Sequence, residues 1–214
     1  MDFLDFLKYV PKIKQEKLLG DQAHIKMVPV ERILEVEKFN TSSNNPRKAA
    51  VMMLIYPKNN RCHLALIVRN TYPGVHSAQI GFPGGKVELE DVSLTHTALR
   101  ETHEEIGIHP EKIEVIKTFT EVFIPPSNFI VAPFLGISYS ELEFIEQEEE
   151  VAGIIEFPLL DFLHEKTIVK KIMDTSYGIN IEVPTFKINE HYVWGATAMM
   201  MSELKEVLKS SFKN

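Results

Sequence analysis

The sequence predicts an α/β (α+β) fold in which a mixed central sheet lies between helices. Two observations predict it: strand-like apolar runs stand before and after one strongly patterned helical segment, and a second helical segment near residue 200 is placed to cover the sheet's other face. With 214 residues, 44% of them hydrophobic, the chain can bury one sizeable core and carry an N-terminal appendage besides. We expect residues 1–45 to form a helical extension packed on the core and residues 46–214 to form the main domain. A charged fraction of 25%, with 10 Gly and 12 Pro, is ordinary for a globular chain, so order is expected nearly throughout.

The elements follow in order. Phe3, Leu4, Phe6, Leu7 and Val10 recur at helical spacing, and Pro11 is expected to end that pattern. A short helix is expected at 31–36, then a polar loop at 40–46. Residues 49–56 and 63–69 read as a hairpin whose turn is Pro57-Lys58-Asn59-Asn60. Phe82-Pro83-Gly84-Gly85 gives a tight loop. Residues 92–106 then read as a helix, capped by Asp91 or Ser93 and stopped by Gly107, with Val92, Ala98, Leu99, Thr102 and Ile106 as its apolar face. Strands are expected at 113–122, 129–137 and 151–157, a short helix at 158–163, and a strand pair at 167–173 and 179–187. A terminal helix at 196–208 closes the chain's pattern, with Met199, Met200, Leu204 and Leu208 packing inward.

Charge and cysteine usage narrow the function classes. A net charge of −7 argues against binding that depends on covering nucleic-acid phosphates with Lys and Arg. The single Cys62, in an apolar run, cannot form an intramolecular disulfide, which fits the reducing cytoplasm. The first ten residues carry acids where an export signal carries bases, and no apolar stretch approaches the roughly 20 residues a membrane-spanning helix needs. The expectation is a cytoplasmic protein with no nucleic-acid or membrane partner.

The chemistry concentrates in Arg100-Glu101-Thr102-His103-Glu104-Glu105-Ile106-Gly107-Ile108. Glu101, Glu104 and Glu105 are spaced i, i+3 and i+4, so a helix gathers them on one face. Like charges at that spacing destabilise a helix, and the arrangement wants a cation; carboxylate oxygens suit a hard ion such as Mg2+ or Mn2+. The preceding Gly81-Phe82-Pro83-Gly84-Gly85-Lys86 permits close backbone approach to a metal or phosphate. Taken alone, a Glu-x-x-Glu-Glu helix is more often a solvated face.

In register with that glycine loop, the pattern resembles the Nudix box: Gly85, an acid at Glu90 or Asp91, Arg100-Glu101, Glu104-Glu105 and Gly107. The family's first Glu would fall at Val92, so the segment holds one extra residue, with Asp91 as the equivalent acid. A narrower resemblance, over residues 64–107, is to the coenzyme A pyrophosphatase branch: Leu66, Arg69 and Phe82-Pro83-Gly84-Gly85 stand at its intervals. Ala65, Ile67 and Asn70 replace its Leu, Thr and Ser, and Gly74 and Ala78 stand where it has Arg and Gly. The resemblance implies a Nudix α/β/α sandwich that splits a small nucleotide-like diphosphate with water. Coenzyme A or an acyl-CoA is the leading substrate, yielding 4'-phosphopantetheine and adenosine 3',5'-bisphosphate. It further implies Arg100, Glu101, Glu104 and Glu105 as catalytic, Gly85, Glu101, Glu104 and Glu105 as the Mg2+ or Mn2+ site, and Arg69, Gly84, Gly85 and Lys86 as substrate-binding. A homodimer is a candidate assembly. Two alternatives stay open: another diphosphate, such as ADP-ribose or a dinucleotide, which Gly74 favours, and a Nudix-fold sensor that binds without cleaving.

Other residues carry blander readings. The acidic run 146–150 reads as solvated or capping, with Glu148, Glu149 and Glu150 as candidate bases. His76 and His103 read as structural or exposed, and Arg47 and Lys48 as weaker phosphate candidates. Tyr72, Phe123 and Phe129 read as buried, with stacking on a base as the minor reading, and Met199, Met200 and Met201 as core filling.

Overall fold

A computed structural model describes residues 1–36, 45–70, 79–176 and 178–213. The chain opens with four short helices, α1 (Phe3–Leu7), α2 (Val10–Gln15), α3 (Asp21–His24) and α4 (Val30–Val36). The opening helix expected to run through Val10 to Pro11 instead ends at Leu7; Val10 begins α2 and Pro11 sits in its first turn, where a proline forfeits no helical hydrogen bond. The predicted loop 40–46 falls mostly outside the described residues.

The strands β1 (Arg47–Lys58) and β2 (Arg61–Arg69) form the expected hairpin with a tighter turn. Only Asn59 and Asn60 lie in it, at φ 50° and 60°, the pairing that matches strand twist. Pro57 belongs to β1 instead, opposite Cys62. Its missing N–H points away from β2 at that non-hydrogen-bonded position, beyond Ile55 where pairing on the other side stops.

Next come β3 (Ile80–Gly81), β4 (Gly84–Lys86), the helix α5 (Leu94–Ile106), β5 (Glu114–Thr118), β6 (Val122–Ile124) and β7 (Phe129–Ile137). Then follow β8 (Val151–Pro158), α6 (Leu159–Leu163), β9 (Ile168–Thr175), β10 (Gly178–Ile188), β11 (His191–Val193) and α7 (Gly195–Phe212). The strand expected at 113–122 is split into β5 and β6. Thr120 lies in the break, where its backbone N–H and hydroxyl both donate to Glu203 of α7.

Eight strands make the main sheet, with order β3-β2-β1-β7-β5, β4 also on β1, β6 on β7 and β8 on β2. β1 and β7 run parallel and the other pairs antiparallel, so the sheet is mixed as predicted. Alternate residues of β1 serve opposite faces. Ala50, Met52, Leu54 and Tyr56 meet Ala98 and Ile106 of α5. Val51, Met53 and Ile55 share a second core with Phe6, Ile13, Met201, Leu204 and Leu208. Helices therefore cover both faces in an α/β/α sandwich, and a three-stranded sheet, β11-β10-β9, stands beside it. Among the described residues no helix is long and apolar enough to cross a membrane.

Candidate active site

The site grows from the two ends of α5. The Ser93 hydroxyl accepts the His96 N–H at 3.1 Å and caps the start, and Gly107 ends the helix at φ 73°, a left-handed conformation glycine adopts freely. Ser93 is the cap; Asp91 acts elsewhere. Val92, expected on the apolar face, is outside the helix and 87% exposed, because the cap falls after it. The buried stripe is Thr97, Ala98, Thr102, Glu105 and Ile106, with Leu99 half-buried.

Asp91 is sealed from solvent and fixes Arg100 from outside the helix. It accepts from Arg100 Nε at 3.0 Å and Nη2 at 2.9 Å, from the Thr97 hydroxyl at 2.9 Å and from the Glu88 N–H at 2.9 Å. The Arg100 guanidinium holds the Asp91 carboxyl well below the usual carboxylate range. So anchored, Arg100 reaches Glu104 at 2.7 Å and Glu101 at 3.1 Å.

The glycines of β4 let the helix approach the sheet. A Cβ on Gly85 would lie 2.5 Å from the Glu101 carboxyl carbon; one on Gly84, at φ 148°, would overlap the Ala50 carbonyl oxygen and lie 2.6 Å from Val51 Cα. The expected loop at 82–85 is thus partly a strand, with Gly84 and Gly85 paired to Val51 and Ala50. Glu105, buried at 1% exposure, accepts the Gly84 N–H at 2.7 Å and faces Arg69 Nη1 at 3.3 Å, while Arg69 Nη2 donates to the Gly84 carbonyl at 2.8 Å. Burial lifts the Glu105 carboxyl to about 7 against the pull of Arg69 and the Gly84 amide. Burial also raises Glu101, with Arg100 opposing.

One cleft of about 770 Å³ brings these side chains together. Glu101, Glu104, Glu105, Arg100, Arg69, Gly84, Gly85 and Lys86 all line it, so the catalytic, metal and substrate residues implied by the resemblance border one space, whereas Arg47 and Lys48 do not line it. Of the acidic run, Glu150 alone lines it. Phe129 lines it too, with the Arg47 guanidinium 4.1 Å from its ring centroid; Phe123, expected to be buried, is 41% exposed. His103 is exposed and rests against His109. Met200 reaches the cleft as well as the core. Tyr72, Gly74, His76 and Ala78 lie outside the described residues.

The cleft also has walls the sequence did not announce: Arg32 of α4, Ser176 after β9, and Trp194 and Thr197 at the start of α7. No motif marks them, since each is an ordinary residue brought in from a distant segment. The donor set tests whether a divalent ion fits. Among the described residues no three His, Cys, Asp or Glu side chains are grouped to hold an ion as placed, because Glu101 and Glu104 turn to Arg100 and Glu105 to Arg69 and Gly84. Even so, three carboxylates border one cleft beside a strand with no side chain at 84 or 85, and a hard cation suits those oxygens. The residues fit such an ion once Arg100 yields oxygens of Glu101 and Glu104.

Comparisons with known proteins bear on this geometry. A family model described as NUDIX domain matches residues 46–174. A protein named "Uncharacterized Nudix hydrolase NudL" from Enterobacter sp. (strain 638) is 34% identical over 169 residues, covering 75% of this chain and 82% of its own. Its namesake from Escherichia coli O7:K1 is 31% identical over 176 residues, covering 78% and 85%. Among solved structures, RenU, a Nudix hydrolase from M. smegmatis, superposes with a TM-score of 0.53 at 15% identity over 79% of this chain and 89% of its own. The MutT protein of Methanosarcina mazei Go1 gives 0.51 at 15% identity over 80% and 100%. At such identity the structural likeness speaks for the fold.

Proposed function

The chain belongs to the Nudix family and is a pyrophosphohydrolase, and from that premise we propose that it hydrolyses coenzyme A or an acyl-CoA with the help of Mg2+ or Mn2+. The observation that carries the reading is the meeting, in one cleft, of three glutamates from one turn of α5 with the Gly84–Gly85 strand. In this reading residues 1–45 are a helical extension and 46–214 the catalytic domain.

Glu101, Glu104, Glu105 and the Gly85 carbonyl would hold the ion, which supplies positive charge against the diphosphate oxygens and lowers the pKa of water. Arg100, pinned by Asp91, orients Glu101 and Glu104. Arg69 holds Glu105 and, with exposed Lys86, offers donors to a phosphate at the same end of the cleft. Glu150, an exposed carboxylate bordering the same space, takes the proton from the attacking water. Water oxygen bonds to one phosphorus, the bridging P–O bond breaks, and 4'-phosphopantetheine and adenosine 3',5'-bisphosphate leave.

A second reading, ADP-ribose or a dinucleotide as substrate, is favoured by Gly74, where the coenzyme A signature carries Arg. Turnover of coenzyme A with Mg2+ in oxygen-18 water, followed by mass spectrometry, separates the two. We expect label in one of the two named products and none of this turnover in EDTA. Coenzyme A turning over far more slowly than ADP-ribose in the same panel would overturn the substrate assignment.

A further inference from the structure

The cleft extends beyond the family-matched residues 46–174. It takes Arg32 from the N-terminal helices and Trp194, Thr197 and Met200 from the start of α7; Thr197 stands by Gly81 and Arg69 at the carboxylate end, and Arg32 forms the far wall. Strand register places that wall relative to the carboxylates. Gly85 of β4 sits opposite Ala50 of β1; β7 lies on the other side of β1, and β6 follows with Phe123 opposite Ile130. Three inter-strand steps of about 4.8 Å put Phe123 about 14 Å across the sheet from Gly85. Arg32 is anchored at that far end, with Nη2 3.5 Å from the Phe123 carbonyl and Nη1 3.9 Å from Met199 Sδ.

The cleft is therefore polar along its length. Carboxylates and the glycine strand mark one end. At the other, a guanidinium on a residue only 8% exposed borders the same space, in a chain of net charge −7. Phe129 and Trp194 line the cleft as well, giving aromatic surface for a base. An elongated ligand whose diphosphate sits by the glutamates would extend its nucleoside toward Arg32. The planar guanidinium fork matches phosphate oxygens better than a base edge or an alkyl chain.

We propose that Arg32 is a specificity-determining residue that recognises a second phosphate on the nucleoside, beyond the scissile diphosphate. The inference rests on the proposed hydrolysis only for the position of the scissile bond. Recognition itself is a binding property and is measured without turnover.

Calorimetric titration of the full chain with adenosine 3',5'-bisphosphate and with AMP tests it. The bisphosphate should bind about tenfold tighter or more, as a charge-assisted pair provides, and Arg32→Gln should bring the two affinities within about twofold. Arg32→Lys, which keeps charge without the fork, should fall between. AMP is the internal reference, because a misfolded variant loses both ligands and loss of the subsite removes only the difference. Equal affinities in the parent chain, or discrimination surviving in Arg32→Gln, would overturn the proposal. Comparing kcat/KM for coenzyme A and 3'-dephospho-coenzyme A keeps the two readings apart. No turnover of either sinks the hydrolysis assignment, whereas turnover without preference for the 3'-phosphate sinks the role of Arg32.

Discussion

Replacing Arg100 with Met removes the cation from a carboxylate that has no access to water. Asp91 has no exposed side-chain surface and takes two of its hydrogen bonds from Arg100, at 3.0 and 2.9 Å. Breaking a buried pair on one side costs about 3–5 kcal/mol, since the remaining charge is left without its counter-ion. The Thr97 hydroxyl and the Glu88 amide still donate to Asp91 and His96 Nδ1 stays 2.8 Å from it, which places the expected loss near the lower figure, about 3 kcal/mol. For a chain of this size that lowers the urea midpoint by roughly 1 M. The double variant Asp91→Asn/Arg100→Met should recover most of that loss, because no charge stays buried. Its turnover should remain as low as that of Arg100→Met, because Glu101 and Glu104 have lost their orienting partner either way. Urea unfolding of the four chains of this cycle, with initial rates on the same samples, measures both effects. A cost below about 1 kcal/mol for Arg100→Met, or a double variant no more stable than the single, would refute the view that Asp91 and Arg100 brace the site through a buried charge pair.

Further outcomes follow from the same geometry. Glu104→Gln and Glu105→Gln should each lower turnover by about 100-fold or more while leaving far-UV circular dichroism unchanged, and parental rates in both variants would remove the metal-site assignment. Gly85→Ala should cut turnover with little change in melting temperature, since its Cβ meets the Glu101 carboxylate, whereas Gly84→Ala should destabilise the fold because its Cβ meets the backbone of Ala50 and Val51. Thermal melts of the two would distinguish them. Burial pushes the Glu203 carboxyl up, but the nearby His24 ring, 3.6 Å away, and hydrogen bonds from Thr120 and Gly20 outweigh it and hold it at about 2. Relative to its ordinary 4.5, this contributes about 3 kcal/mol, fully present above pH 4.5 and lost as pH falls through about 2. Glu203→Gln should flatten stability against pH across that window, and an unchanged acid limb would count against the network.

Much of the fold was legible because local and global signals agree. β1 and β2 are apolar runs of strand length, and α5 carries a serine cap and a terminal glycine, so their identities follow from local chemistry. The glutamate trio was legible for the same reason, since helical spacing alone gathers it. What was missed depends on tertiary partners. Nothing local says that Asp91 turns back on Arg100 rather than capping the helix, which leaves Val92 outside it. Glu203, 83 residues from Thr120, breaks a strand whose composition is continuous. Arg32 and Trp194 reach the cleft only through tertiary folding, which brings α4 and the turn into α7 to the same space, and a lone arginine or tryptophan carries no pattern.

The parallel pairing of β1 with β7 has a kinetic consequence. Arg47 pairs with Phe129 and Ile55 with Ile137, so each rung of the central ladder closes a loop of about eighty residues before it gains anything. Such high contact order slows the search for the native topology. The face of β1 bearing Val51, Met53 and Ile55 is sealed only when α7 arrives, with Phe212 against Phe6 and Tyr9. During synthesis, that oily surface therefore stays uncovered until residues 195–212 emerge, and a nascent chain stalled before them should aggregate or hold a chaperone.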